Sequence, residues 1–286
     1  RVTAADVING DARWATLVGD VRETLRGVPD GCAQTCVTSP PYFGLRDYGN
    51  AAQIGQETTP REFVDALVAV MRDVRRVLAD DGTLWLNIGD SYSQQGNGYK
   101  PKDLLGIPWR LAFALQDDGW YLRSDIIWAK PNPMPESVTD RPTRAHEYVF
   151  LLTKRSRYFY AADAIKEPSV MKPQNRLTAR AEHPKGDTGR SMHLRPEGGT
   201  SYNSRNARSV WNVPTDSFGG AHFATMPPEL ARRCILAGSR RGDVVLDPFG
   251  GAGTTALAAL QHGRRALLCE LNPEYVEIQR RRLADF

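Results

Sequence analysis

The chain has 286 residues, of which 41% are hydrophobic and 24% are charged, and its formal net charge is +4. This length allows one large domain or a domain with an inserted lobe. No run of about 18 apolar residues occurs, which excludes a membrane-spanning helix, and the N-terminus lacks the pattern of a signal peptide, so we expect a cytoplasmic protein with no membrane partner.

The cysteines and histidines do not suggest a metal centre. Cys32, Cys36, Cys234 and Cys269 lie among apolar neighbours without CxxC spacing. That pattern favours buried, reduced thiols over a disulfide or a zinc site. The five histidines are scattered, and no pair has the spacing of metal ligands.

Short strands and helices alternate through the first half of the chain. Strands are predicted at 16–20 and 33–41, and a long helix at 58–82. In that helix Thr59 caps the first turn, which contains Pro60, and Glu62 completes a capping box. The apolar stripe of the helix consists of Phe63, Leu67, Val70, Met71, Val74 and Leu78. A strand, a helix and two further strands follow at 83–90, 107–120, 121–130 and 147–154.

The same alternation returns near the C-terminus. A helix, a strand, a helix, a strand and a final helix are predicted at 227–238, 243–249, 253–263, 265–271 and 272–283. Alternating strands and helices predict an α/β fold, with a mostly parallel, doubly wound sheet that is covered on both faces.

Between residues 169 and 209 this alternation fails, because the segment is rich in Arg, Pro, Gly, Asn, Ser and Thr and poor in large apolar residues. The wider window 154–208 holds twelve Lys and Arg against five Asp and Glu, a net charge of +7. Such a concentration of positive charge favours a polyanionic partner, and a solvated loop is the plain alternative.

The predicted strand at 33–41 ends in the unusual sequence Ser39-Pro40-Pro41-Tyr42. Prolines lock the backbone and remove hydrogen-bond donors, so this loop is stiff. A stiff loop with a hydroxyl, spare carbonyls and an aromatic ring is either a simple turn or a preformed pocket for a flat, hydrogen-bonding ligand.

A glycine-rich turn follows the predicted strand at 243–249. Residues 251–256 fit the pattern G-x-G-x-x-A of dinucleotide-binding loops, and Glu270 ends the next strand, where an acid can hold ribose hydroxyls. Asp247 lies just before the glycines and would repel a pyrophosphate. A carboxylate there suits a cationic ligand, so charge favours S-adenosyl-L-methionine (AdoMet) over NAD, and a ligand-free turn is the alternative.

The motifs TSPPY, HFATMP and DPFGGAGTT together resemble those of the amino-group DNA methyltransferases. Their order, with the catalytic loop first and the glycine loop last, is that of the β class of this family. The resemblance covers about 16–282 and implies an AdoMet-dependent methyltransferase (Rossmann-like) fold that is circularly permuted. It divides the chain into a catalytic half at 1–160, a basic target-recognition insert at 161–210 and an AdoMet-binding half at 211–286.

The resemblance implies methyl transfer to an exocyclic amine of a base that has left the DNA duplex. Ser39 Oγ and the carbonyl of Pro40 would accept the amine hydrogens, Pro41 would stiffen the loop, and Tyr42 would stack on the base. Serine at position 39 goes mostly with cytosine N4 in this family, whereas aspartate goes mostly with adenine N6. We therefore expect N4-cytosine methylation, with N6-adenine as the alternative.

Asp90 ends the predicted strand at 83–90 and matches an acidic position of N4-cytosine relatives. It would help with the departing proton or contact the base. The alternative is a capping role for the segment that begins at Ser91.

The resemblance also implies a set of cofactor contacts. Asp20 matches an acid that lies near the cofactor's adenine in relatives, although an ordinary helix cap explains it equally well. The other implied contacts are Phe223, Thr225, Pro227, Asp247, Pro248, Phe249, Gly251, Gly253, Thr254, Thr255, Glu270 and Leu271.

Double-stranded DNA is the expected partner. Lys130 and Asn132 match a loop that faces the target base, although Lys130 is also explained as a phosphate contact or a surface charge. Candidates to read guanine edges or hold phosphates are Arg176, Arg180, Arg190, Arg195, Arg205 and Arg208. A homodimer and a cognate restriction endonuclease are further expectations from the resemblance.

Two other classes of function stay open at this point. The glycine pattern alone fits an NAD-dependent oxidoreductase, but Asp247 and the lack of a histidine placed as a proton relay argue against it. A catalytically inactive DNA-binding protein is the second alternative, and the intact SPPY and glycine motifs argue against that.

Overall fold

The computed structural model of the chain describes residues 2–45, 53–93, 98–169, 204–216 and 226–286. The chain divides into a large unit, Arg1–Ala161 with Arg208–Phe286, and a small unit, Ala162–Ala207. The small unit falls within the predicted insert 161–210, whose role in target recognition stays a prediction.

The described residues of the large unit form helices and strands in alternation. The helices are α1 (Ala4–Asn9), α2 (Val21–Thr24), α3 (Pro60–Val77), α4 (Ile107–Asp117), α5 (Pro228–Gly238), α6 (Thr254–Gln261) and α7 (Pro273–Arg282). The strands are β1 (Trp14–Val18), β2 (Ala33–Thr38), β3 (Leu78–Ile88), β4 (Tyr121–Ala129), β5 (His146–Thr153), β8 (Val210–Asn212), β9 (Val244–Asp247) and β10 (Arg265–Glu270). In the small unit β6 (Glu167–Pro168) pairs antiparallel with β7 (Ser204–Arg205).

The strands of the large unit form one sheet in the order β1-β10-β9-β2-β3-β5-β4-β8. All neighbouring pairs are parallel except those of β5, which runs antiparallel to both β3 and β4. The mostly parallel α/β sheet predicted from the sequence is confirmed.

Helices cover both faces of the sheet. Leu84 and Leu86 of β3 belong to the same buried cluster as Phe63 and Met71 of α3. Between them in sequence, Trp85 points to the other face, where it lies against Gly238 at the end of α5. The doubly wound arrangement expected from the alternation of elements therefore holds.

The structure corrects the end of the long helix. Helix α3 ends at Val77, and Leu78 is extended, fully buried and paired with Ala33 of β2. The prediction that the helix runs to 82 is wrong because Leu78 continues the apolar stripe in sequence while its backbone belongs to the sheet. Helix α1 and strand β8 are too short to give a periodic signal, and the sequence does not predict them.

The sheet positions the site by collecting strand ends at one edge. Glu270 pairs with Val18, and Asp247 pairs with Leu268, so β1, β9 and β10 end side by side. Because β5 is reversed, its first residues lie at that same edge, where Glu147 pairs with Trp128. In α/β sheets, ligands bind in the crevice outside the carboxyl ends of the strands.

No helix in the described ranges combines the length and the apolar character that crossing a membrane requires.

We predict that Thr59→Ala lowers the free energy of unfolding by about 1 kcal/mol, because the capping box is formed. The Thr59 hydroxyl accepts the Glu62 N–H at 3.2 Å, and the Glu62 carboxylate accepts the Thr59 N–H, also at 3.2 Å. Chemical denaturation measures the change. Thr58→Ala is the matched control, since it leaves that cap in place, and an equal loss in both variants would contradict the prediction.

Candidate active site

A cavity of about 430 Å³ lies at the carboxyl edge of the sheet, within the large unit. Both predicted loops contribute to its walls. The predicted site residues that line it are Asp20, Ser39, Pro40, Pro41, Tyr42, Lys130, Asp247, Pro248, Phe249, Gly251, Thr254, Thr255, Glu270 and Leu271. The SPPY loop and the glycine loop therefore meet in one cavity.

The glycine loop connects strand β9 to helix α6. Gly251 has φ +48° and Gly253, the N-cap of α6, has φ +81°. Side chains rarely tolerate this left-handed conformation, so glycine is the natural residue at both positions. The resulting tight turn leaves the backbone of Gly251 exposed to the cavity next to Glu270.

Asp247 is a buried carboxylate held by hydrogen bonds. The Thr38 hydroxyl donates to Asp247 Oδ1 at 2.6 Å, and the Phe249 N–H donates to the same oxygen at 3.1 Å. Burial raises the pKa of Asp247, and these hydrogen bonds oppose the shift. Because Thr38 immediately precedes Ser39, this contact joins the two predicted motifs directly.

Glu270 lies at the end of β10 with its carboxylate fixed by backbone donors. Its two oxygens accept the N–H groups of Gly251 at 2.7 Å and of Asn272 at 2.8 Å. Burial raises the pKa of Glu270 to about 7 against the lowering effect of those hydrogen bonds. Carboxylate oxygens have two lone pairs each, so acceptor capacity is left for a ligand's hydroxyl groups.

Asp20 is a helix cap that also lies at the cavity, and its predicted contact with the cofactor stays a prediction. It caps α2 by accepting the Arg22 N–H at 2.9 Å, and its pKa is lowered chiefly by hydrogen bonding to the Arg22 guanidinium. It also lines the cavity beside Gly19 and Val21. A capping aspartate is therefore available at the cavity wall.

The other wall contains a hydrogen-bonded network around Tyr42. The Ser39 hydroxyl donates to Tyr42 Oη at 3.4 Å, and Tyr42 Oη donates to Glu147 Oε2 at 2.5 Å. Lys130 forms an ion pair with the other oxygen of Glu147, and Asn87 Nδ2 donates to Glu147 Oε2 at 3.1 Å. Burial and the neighbouring Glu147 raise the pKa of Tyr42 well above its usual value.

Asn87 and Glu147 are cavity residues that sequence reasoning missed. Each lies within a strand whose other residues are mainly apolar, and neither belongs to a recognisable motif. The one feature of the sequence that could have indicated them is a polar residue close to either end of a predicted buried strand. Only the reversed direction of β5, which the alternating pattern does not reveal, brings Glu147 to this edge.

Asp90 is not part of the cavity lining formed by the described residues. Its carboxylate accepts the N–H groups of Gly106 at 3.0 Å and of Ile107 at 2.9 Å, at the beginning of α4, and that of Ser91 at 2.9 Å. These contacts fit the capping alternative at Ser91 and add a second one at α4, while a part in proton removal or base contact stays a prediction.

Three other predicted residues lie beside the cavity. Gly253 sets the turn into α6. Pro227 is the N-cap of α5 and adjoins Met226, which lines the cavity. Asn132 Oδ1 accepts the N–H of the cavity residue Thr215 at 3.0 Å.

Besides Lys130 and Asn132, two further predicted DNA contacts lie within the described residues. Arg205 pairs with Glu167 across the β6–β7 ladder of the small unit, and the Arg208 carbonyl accepts the Trp211 indole N–H at 2.8 Å. Their DNA-binding role stays a prediction. The predicted residues that lie outside the described ranges are Phe223, Thr225, Arg176, Arg180, Arg190 and Arg195.

Comparison with known sequences gives a consistent result. An N6/N4 family model described as DNA methylase matches residues 33–281. The chain is 49% identical to Type II methyltransferase M.XycI of Xanthomonas campestris pv. cyanopsidis, over 95% of this chain and 88% of the relative. It is 47% identical to Type II methyltransferase M.SmaI of Serratia marcescens, over 93% and 89%.

Solved structures share the fold. PvuII DNA methyltransferase (cytosine-N4-specific) superposes with a TM-score of 0.70 over 95% of this chain and 86% of that one, at 20% identity. A putative DNA modification methylase of Thermus thermophilus complexed with S-adenosyl-L-methionine gives 0.62 at 29% identity, over 96% and 95%. The predicted methyltransferase fold is confirmed.

We predict that AdoMet affinity falls as the pH drops through about 7, because Glu270, the predicted acceptor for the ribose hydroxyls, then becomes protonated and would accept their hydrogen bonds less well. Protonation of a single group can lower the affinity by at most about tenfold per pH unit. Calorimetry at pH 6, 7 and 8 measures the change. Glu270→Gln should bind weakly at every pH and lose this dependence, and a wild-type protein with flat affinity across that range would contradict the prediction.

Proposed function

The chain belongs to the N6/N4 family of DNA methylases, and within that family we propose that it is a cytosine-N4 methyltransferase of double-stranded DNA. Methylases of this family use S-adenosyl-L-methionine as the methyl donor. The observation that carries the proposal is the single cavity in which the SPPY loop faces the glycine loop.

The residues of the cavity fit AdoMet. The volume of about 430 Å³ is in the range of small-molecule sites. In the proposed complex Asp247 would lie beside the cationic part of the donor, and Glu270 would hold the ribose hydroxyls. Phe249 and Leu271 add apolar walls. When bound, AdoMet supplies an electrophilic methyl group on a sulfonium.

The SPPY loop would orient the amine. An exocyclic amine is a weak nucleophile because its lone pair is delocalised into the ring. Ser39 Oγ and the Pro40 carbonyl would accept the two N–H groups, which would pull the nitrogen towards tetrahedral geometry, release its lone pair from conjugation with the ring and aim it at the cofactor side of the cavity. Tyr42 would stack on the base. Catalysis then consists of positioning and electrostatic stabilisation, without a covalent intermediate.

Cytosine N4 is favoured over adenine N6 by Ser39. Serine at this position goes mostly with cytosine in the family that the sequence resembles, and PvuII methyltransferase, which shares the fold, is described as cytosine-N4-specific. The alternative is adenine N6, since the family model covers both chemistries.

A restriction-modification setting is the second part of the proposal. M.XycI and M.SmaI are Type II methyltransferases, and each is matched over most of its length. We therefore infer that this protein protects a short duplex site from a cognate restriction endonuclease. The predicted contacts Lys130, Asn132, Arg205 and Arg208 would hold that duplex, with or without a second copy of the chain.

We predict that duplex DNA treated with the protein and AdoMet contains N4-methylcytosine. Digestion to nucleosides followed by mass spectrometry identifies the product, and sequencing of the modified DNA locates the site. N6-methyladenine as the product would overturn the base assignment but leave the family intact. Failure to methylate any DNA would overturn the function itself.

Mutations in the two walls of the cavity should affect different steps, methyl transfer in one case and AdoMet binding in the other. We predict that Ser39→Ala slows methyl transfer by about tenfold to a thousandfold, because one placed polar contact is lost from the transition state, while AdoMet affinity is kept. Asp247→Asn keeps the shape and an acceptor for Thr38 but removes the charge, so it should weaken AdoMet binding first. Calorimetry and single-turnover kinetics distinguish the two. Loss of AdoMet binding in Ser39→Ala would show that Ser39 is structural.

A further inference from the structure

Methyl transfer to an amine releases a proton, and none of the roles proposed above provides an acceptor for that proton. The cavity lining described here contains five carboxylates: Asp20, Glu147, Asp216, Asp247 and Glu270. Two of these, Asp247 and Glu270, belong to the cofactor side. Glu147 is connected to the SPPY loop through hydroxyl groups.

The two hydrogen bonds that connect Ser39, Tyr42 and Glu147 have a fixed donor-to-acceptor direction. Ionised Glu147 can only accept, so the proton between it and Tyr42 belongs to the Tyr42 hydroxyl, which donates at 2.5 Å. Tyr42 Oη can then accept the hydrogen bond that the Ser39 hydroxyl donates at 3.4 Å. Ser39 Oγ is left as an acceptor towards the cavity, as the reaction requires.

Resting on the proposed function, we propose that Ser39, Tyr42 and Glu147 form a proton relay that ends on Glu147 Oε2. As the amine lone pair forms the N–C bond, the C–S bond of the donor breaks and its electron pair stays on sulfur. The amine proton passes to Ser39 Oγ, the Ser39 proton passes to Tyr42 Oη, and the Tyr42 proton passes to Glu147. The positive charge of the sulfonium is thus balanced by neutralisation of one carboxylate.

Several contacts hold Glu147 in place for this role. The carboxylate is nearly buried, with 12% of its side chain exposed. Lys130 pairs with Oε1 and lies 4.4 Å from the centre of the Trp128 ring, while Asn87 donates both to Oε2 and to the Tyr148 carbonyl. Oε2 is thereby aimed at Tyr42.

The ring of Tyr42 is also held in place, by close packing against the backbone at Gly89. A Cβ atom at Gly89 would lie 2.7 Å from Cε2 of the Tyr42 ring, so glycine at that position allows the ring to approach the backbone. The raised pKa of Tyr42 keeps its hydroxyl protonated, which a relay requires. The 3.4 Å contact from Ser39 is long, and hydrogen bonds of this kind tighten when substrate binds.

Asp90 is a poorer acceptor for the proton. Its carboxylate already accepts three backbone N–H groups, two at the start of α4 and that of Ser91. Asp247 is occupied by Thr38 and Phe249 and faces the cofactor loop. Glu147 acts through Tyr42 and Ser39 and is therefore a positioning residue, whereas Ser39 touches the substrate.

The decisive variant is Glu147→Gln, which keeps the shape but cannot take a proton. We expect single-turnover methyl transfer to slow by about 100-fold or more, while AdoMet and DNA affinities stay within about threefold of wild type. Tyr42→Phe should give a similar loss. The double variant should be no slower than the slower single one, because both interrupt one chain. The matched control is Glu277→Gln, which changes an exposed carboxylate that pairs with Arg281 on α7. This variant should transfer the methyl group at the wild-type rate.

Chemical rescue separates proton transfer from a structural role. In Glu147→Ala, added formate should restore transfer by about tenfold or more, whereas formamide, which is similar in size but not basic, should not. Equal rescue by both compounds, or a wild-type rate in Glu147→Gln, would overturn the relay. Absence of transfer by the wild-type protein to any DNA would instead overturn the proposed function.

A measurement on the cofactor-free protein tests the contact itself. Because Glu147 contributes to the raised pKa of Tyr42, Glu147→Gln should lower that pKa, although burial still keeps it above the usual value. NMR of protein labelled with ¹³Cζ-tyrosine follows the titration. An unchanged Tyr42 titration in the variant would show that the hydroxyl and the carboxylate do not interact, which would also overturn the relay.

Discussion

A hydrogen bond of 2.6 Å from the Thr38 hydroxyl to the Asp247 carboxylate joins residues that are 209 positions apart. A carboxylate in such a buried place is costly unless it is hydrogen-bonded, and bonds to charged groups contribute about 1.5–3 kcal/mol. The contact stabilises Asp247 and fixes the end of β2 against the end of β9. Because Ser39 follows Thr38 and the glycine turn follows Asp247, this contact and the parallel pairing of β2 with β9 together hold the SPPY loop beside the glycine loop.

Three carboxylates that line the cavity fall into two groups, one beside the glycine loop and one beside the SPPY loop. Asp247 and Glu270 lie beside the glycine loop, the proposed cofactor side, where burial raises the pKa values of both and where a cationic donor would compensate their charges. Glu147 lies on the opposite side and is compensated by Lys130. In the proposed reaction a sulfonium would lie beside Asp247 and Glu270, and the loss of its charge would coincide with the neutralisation of Glu147 that the relay requires.

Much of this arrangement can be predicted from the sequence, because the motifs are local. TSPPY and DPFGGAGTT each follow a short apolar strand, and parallel strands place their ends at one edge. Glu147 and Asn87 cannot be found in this way, since their position depends on the reversal of β5 and on its pairing with β3. Asp90 shows the opposite case: an acid at a strand end suggests catalysis in sequence, but in the fold its carboxylate accepts the N–H groups of Gly106 and Ile107 where α4 begins. Tertiary packing decides these cases, and no local pattern records it.

The most direct test of the account is a crystal structure of the protein with a non-reactive AdoMet analogue and a duplex that contains its target site. The account predicts that the analogue lies between Asp247 and Glu270, with its ribose on Glu270. It also predicts a cytosine outside the duplex, stacked on Tyr42, with its amine between Ser39 Oγ and the methyl position of the donor. An analogue bound away from Ser39, or no space for a base between the two loops, would contradict it.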